Sequence, residues 1–206
     1  MIRLRIIAPL AAAVLLAGCI SLIPKETPSP LFRFGEDPPA APQGVPAGAR
    51  RSVQILPLTF DHAAAGDRIL AVTGDSVAHI RGGRWVSSAR NLFDTAVTRA
   101  FNVEGAGVRL IAWGEAVSPE YFLKINVVTF EARYDHGLNA APTVVVEMRA
   151  ALSKPTDRTL IGEKSFQASA AASENRVGAI AIAFDQAVSQ VLAGLVAWVS
   201  AGGPST

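Results

Sequence analysis

The stretch YFLKINVVTFEARY (Tyr121–Tyr134), then the turn Asp135-His136-Gly137, then TVVVEMRAAL (Thr143–Leu152) decides the fold. Tyr121, Leu123, Ile125 and Val127 recur at every second position, the period of a strand with one buried face. The alternation shifts near Val128 and Phe130, which predicts a β-bulge or burial of both faces. In the second segment Val144, Val146, Met148 and Ala150 point one way, against Glu147 and Arg149 the other. Lys154-Pro155-Thr156-Asp157 reads as a turn, and Thr159 to Ala170 as a third strand, so the three form an antiparallel meander.

Working outward, Asn175 to Ser200 carries Val177, Ile180, Ala181, Phe184, Val188, Val191, Leu192, Leu195 and Val199 at helical spacing. Asn175 is a candidate cap, and Gly202-Gly203-Pro204 a stop. Asp185, Gln186 and Gln190 interrupt the apolar run, which favours a packed amphipathic helix over a membrane span. Upstream, Arg84 to Asn102 repeats the helical pattern through Trp85, Ala89, Leu92, Phe93, Ala96, Val97, Ala100 and Phe101. Ser52 to Leu58 reads as a strand. Arg68–Thr73 and Ser76–Ile80 form a hairpin around Gly74-Asp75, Gly82-Gly83 breaks the chain, and Val108 to Trp113 is a further strand candidate. The expected architecture is an α+β sandwich, a largely antiparallel sheet with two amphipathic helices packed on one side. Leu92, Phe93, Phe184 and Leu195 are expected in the core between them.

The N-terminus is of another kind. Met1-Ile2-Arg3-Leu4-Arg5 is basic, Ile6 to Ala17 is apolar, and the run closes on Leu15-Leu16-Ala17-Gly18-Cys19. That is the layout of a secretory signal peptide, short for a membrane span. Prolines 24, 28, 30, 38, 39, 42 and 46 then mark an extended tether, interrupted by Leu31-Phe32-Arg33-Phe34, a short strand or a clip onto the domain. The expected division is a signal peptide over 1–18, a lipidated N-terminus and Pro-rich tether over 19–48, and one domain over 49–202.

Half of the residues are hydrophobic and 17% are charged, a composition that supports a packed core. The formal charge is +2, and Arg3 and Arg5 lie in the leader, so the mature chain is near neutral. No basic stripe points to nucleic acid. The single cysteine excludes an intrachain disulfide and a thiolate metal cluster. His62, His79 and His136 lack the spacing of a zinc hydrolase, and no Gly-x-Ser-x-Gly elbow is present. Trp85 and Trp198 suit the core or its rim better than a ligand cage. The chain therefore reads as a binding or scaffold protein, with neither catalytic residues nor cofactor expected.

Leu-Ala-Gly-Cys ending at Cys19 resembles the lipobox of bacterial lipoproteins. The resemblance implies cleavage before Cys19, covalent acyl chains (palmitate among them) on that residue, and membrane attachment through them. Ile20 in place of Asp favours the outer membrane by enterobacterial sorting rules. With the lipobox, the Pro-rich tether, Leu31-Phe32-Arg33-Phe34, Val53-Gln54-Ile55-Leu56-Pro57, Asp67-Arg68-Ile69-Leu70, Arg84-Trp85, Phe130-Glu131-Ala132 and the Val-Val-Glu-Met-Arg-Ala strand, the chain resembles the ABC-type transport auxiliary lipoprotein family. These are lipoprotein partners of MCE-type (mammalian cell entry) lipid transporters, including the paraquat-inducible class. The loop from Phe60 to Gly66 departs from the pattern in lacking a tyrosine. The resemblance implies a periplasm-facing docking component for an MCE protein, its permease and its ATPase, moving phospholipid or another hydrophobic cargo between membranes. The chain has no nucleotide-binding loop of its own. Homo-oligomerisation stays open. Asp67, Arg68, Arg81 and Arg84, in the loop and hairpin from Asp61 to Arg84, are the expected partner contacts, chosen by position because loops carry function more often than strands. A competing expectation is an envelope-assembly lipoprotein, similar to those of lipopolysaccharide assembly, that binds an outer-membrane protein.

Overall fold

A computed structural model describes residues 30–39, 50–103 and 107–203. The signal peptide and Cys19 lie outside the described residues. The compact unit runs from Leu31 onward. Its central element is β7 (Tyr121–Arg133), flanked on one side by β8 (Thr143–Ser153) and then β9 (Leu160–Ala171), both antiparallel. The meander is as expected, with the β7 register slipping between Val127 and Thr129, where the alternation shifts. Leu123, Ile125 and Val127 before the slip, and Phe130 and Ala132 after it, all stay buried. The extra residue restores the inward phase, and Val128 remains exposed.

The other flank of β7 is shared by three short strands, each parallel to it. These are β2 (Arg51–Ile55), β3 (Thr59–Phe60) and β4 (Arg68–Thr73). Beyond β2 lies β6 (Val108–Leu110), and beyond β4 lie β5 (Ser76–Trp85) and β1 (Leu31–Phe32). The nine-stranded sheet is thus mixed: its long ladders are antiparallel, and the five parallel pairings are brief.

Two helices, α1 (Ala89–Phe101) and α2 (Val177–Ser200), supply the second layer. Phe93, Phe184 and Leu195 are fully buried as expected, while Leu92 is only partly so. An aromatic cluster joins the layers. Phe130 of β7 lies 4.7 Å from Phe184 of α2, 5.1 Å from Phe34 and 5.3 Å from Phe60. Trp85 meets Phe34 and Phe184 edge-on, the arrangement that ring quadrupoles favour. Trp198 is buried too, edge-on to Phe166. By length and composition α2 could cross a membrane, but most of its apolar stretch is buried inside the domain.

Three local expectations are corrected. The first helix begins at Ala89, five residues later than its periodicity suggests, because the Ser88 hydroxyl accepts from Asn91 N and caps it there. Arg84 and Trp85 therefore belong to β5, with Trp85 driven inward by strand alternation. Gly82-Gly83 does not break the chain. It lies in an irregularity of β5, where Arg68 pairs with Arg84 but Leu70 pairs with His79, leaving Ile80 to Gly83 as extra chain. Gly82 takes the positive φ of +70° that the bend requires, and Gly83 sits against Ile80 and Ile69, where a side chain would crowd them. Lastly, Asn175 does not cap α2. Arg176 holds the cap position without a side-chain bond, and Asn175 instead accepts from the Tyr134 hydroxyl (3.0 Å) and donates to Leu138 O (2.7 Å).

Candidate docking surfaces

The expected contact residues gather on the hairpin β4–β5. Arg68 and Arg84 are directly opposed across it, and Leu31 of β1 sits on the far side of Arg84. Strand alternation turns Phe32 and Trp85 inward, so Leu31, Arg84 and Val86 share the outer face. Asp67 makes a salt bridge to Arg84, and that hydrogen-bonded guanidinium holds its carboxyl below the usual range. Arg68 also lies near enough to favour the carboxylate. Neither Arg68 nor Arg81 has an ion-pair partner among the described residues. Arg81 is exposed within the irregular stretch of β5 and is not in the Arg68–Arg84 row.

Beside this hairpin the segment Leu31–Glu36 is locked into the domain. Phe34 is 1% exposed. Gly35 N donates to Asp185 Oδ1 of α2 at 2.7 Å, and Arg99 of α1 donates to Gly35 O at 3.0 Å and to Glu36 at 3.1 Å. Asp185, the charge that interrupts the apolar stripe of α2, is therefore the residue that fastens this clip. The 49–202 expectation placed the segment in the tether, whereas it is part of the compact unit. Its two phenylalanines in an otherwise Pro-rich run are the signal for this.

A second surface was not foreseen. The end of β2, α1 and the chain after β6 enclose an open cleft of about 540 Å³. Ile55, Leu56, Pro57, Leu110, Ile111 and Trp113 supply its apolar lining, and Asp94, Thr98 and Asn102 of α1 its polar side. Trp113 is 67% exposed. Its sequence neighbourhood reads as the end of a strand, but β6 stops at Leu110 and leaves the indole outside the sheet. The histidines are scattered and exposed, and no group of three or more His, Cys, Asp or Glu is gathered among the described residues.

The sequence model of the ABC-type transport auxiliary lipoprotein component family matches residues 36–196. The chain belongs to this family. The auxiliary lipoprotein is also similar in structure to protein XCC0632 from Xanthomonas campestris, at 22% identity and TM-score 0.72, over 84% of this chain and 97% of that one. The hypothetical protein CT253 from Chlamydia trachomatis is 10% identical with TM-score 0.51, over 74% and 99%. At such identities these likenesses establish the fold alone. Among curated proteins none matches this sequence. Membership makes the auxiliary lipoprotein an envelope-associated component of an ABC-type transport system.

Proposed function

We propose that this lipoprotein is the membrane-anchored docking component of an MCE-type transporter that moves phospholipid or other hydrophobic cargo between membranes. Acyl chains on Cys19 hold it at the membrane, by its lipobox and by Ile20 the outer one, with the domain facing the periplasm. It performs no chemistry itself. The ATPase and permease supply energy and passage, and this chain holds the MCE protein in position. Family membership carries the reading. The cleft beside Trp113 supports it, because an exposed indole above an apolar cleft presents a large rigid area of the kind that anchors protein contacts.

Purification of the full-length lipoprotein from envelopes, with identification of what accompanies it, tests this. The MCE protein should be recovered. Trp113→Ala should lower that recovery while shifting stability by no more than about 0.5 kcal/mol, as expected for an exposed residue. A wild-type protein that recovers no MCE component rejects the transporter assignment. Undiminished recovery by Trp113→Ala rejects the cleft as the contact.

A further inference from the structure

We infer that the outer face of the β1–β5–β4 edge docks onto the anionic headgroups of the bilayer that carries the protein's own anchor. The inference rests on the lipid-anchor reading above, and assigns the hairpin arginines to lipid phosphate instead of to a protein partner.

Three observations carry it. First, the composition of the patch: Leu31 (57% exposed) and Val86 (47%) lie on the same outer face as Arg84, in the row that continues to Arg68. Arg33 (62% exposed) stands beside them, and Arg81 projects from the neighbouring bend. Apolar side chains ringed by guanidiniums suit the headgroup boundary, where the apolar groups insert and the cations meet phosphate. Second, the charge is compensated only in part. Like charges directly opposed across a ladder repel, yet Arg68 and Arg84 are so placed with one carboxylate, Asp67, between them. Glu36 is shared in the same way between Arg33 and Arg99. An external anion would relieve both.

Third, the position of the patch follows from chain length. Twelve residue steps separate Cys19 from Leu31. Fully extended they span about 40 Å, so Leu31 cannot leave the bilayer surface by more than that. The clip at Phe34 and Gly35 prevents the longer excursion that a tether reaching to residue 48 would allow. A surface held so close acts at high effective concentration, and weak individual contacts suffice. The cleft near Trp113 borders the part of β2 that pairs with Leu123, about 30 Å along β7 from Arg133, the residue paired with the hairpin strand β4. It stays available to a protein partner.

The test uses the full-length acylated protein in vesicles of phosphatidylcholine alone or mixed with phosphatidylglycerol, read by amide hydrogen exchange, with the acyl mass on Cys19 checked in the same sample. Exchange over Arg68–Trp85 should slow in the anionic vesicles, revert at high salt, and be unchanged over Leu110–Trp113. The unacylated chain should sediment with anionic vesicles more than with neutral ones, and R68E and R81E should each weaken this roughly fivefold or more, the effect of one charge at such a surface. Equal exchange in both vesicle types overturns the inference, as does protection that appears only when an MCE protein is added. A missing acyl mass overturns the anchor reading instead, and sedimentation of the unacylated chain then still decides the headgroup contact.

Discussion

Gly35 shows how much one residue can hold. Its φ is +70°, and a Cβ built on it would stand 2.3 Å from Ala96 Cβ on α1. Both its N–H and its carbonyl are taken, by Asp185 and Arg99. Gly35→Ala adds a left-handed backbone cost to a clash against a helix, and should destabilise the domain by roughly 2–4 kcal/mol in denaturant melts. A change below about 1 kcal/mol would mean that the clip detaches at little cost. Asp67 offers a pH signature on the hairpin. Its folded-state carboxyl titrates below the ordinary value of 3.8, because Arg84 hydrogen-bonds its charged form. The contribution is therefore complete above about pH 4 and lost as the pH falls through the depressed folded value. Carboxyl NMR should place the Asp67 midpoint below 3.8 in the wild type and nearer that value in Arg84→Ala; an unmoved midpoint would refute the pairing.

At the scale of elements, the segment around β1 behaves as a third packing layer in miniature. Phe32 meets Gly178 at the start of α2, and Phe34 fills the space between Trp85 and Phe130. Phe34→Ala should cost about 3–5 kcal/mol, the range for a large buried aromatic. Urea unfolding of the full chain measures it, and a loss under about 1 kcal/mol would return residues 31–36 to the tether. The start of α1 shows how local chemistry sets a boundary. Helical periodicity continues back to Trp85, but the Ser88 cap ends the helix and the peptide N–H of Trp85 donates instead to Asp67 O, at 2.7 Å. The same bond keeps Asp67 beside Arg84.

For the whole molecule, the proposed anchor on Cys19 would act together with the clip at Gly35 to keep the domain near its membrane. If the docking role is right, Cys19→Ser should sensitise cells to detergents and hydrophobic drugs as strongly as deletion of the protein does, since an unanchored domain cannot stay at the transporter. Fatty-acid labelling should vanish in the same mutant, because the chain has no other cysteine. Full drug resistance of cells producing unlabelled Cys19→Ser protein would sink the requirement for an anchor. The core itself places no demand on a partner: no buried side-chain polar atom lacks a hydrogen bond among the described residues. Contacts fall to the exposed features instead: Trp113 for the proposed protein partner and the arginine row for the inferred headgroups.

The meander, its slip beyond Val127, the apolar stripe of α2 and the hairpin at Gly74-Asp75 were legible from residues close in the chain. Side-chain period and turn chemistry are local properties: the meander and α2 show theirs in the spacing of apolar residues, and the hairpin, whose tip is exposed on both faces, in its Gly74-Asp75 turn. The chain's family was legible too, from short motifs spread along its length. The parallel pairings of β2, β3 and β4 on β7 were not. They join residues some sixty or more positions apart, such as Val53 with Tyr121, and backbone pairing leaves no periodic trace of which strand is the partner. The clip was half legible: Phe32 and Phe34 announced a packed segment, but only the fold brings Asp185 and Arg99 to Gly35. The outer patch is the clearest case. Arg68 and Arg84 are sixteen positions apart, and the irregular glycine bend, not their spacing, sets them face to face. Sequence alone determined which faces are apolar; the tertiary structure decided which charges meet, because that depends on register between strands and not on the order of residues within them.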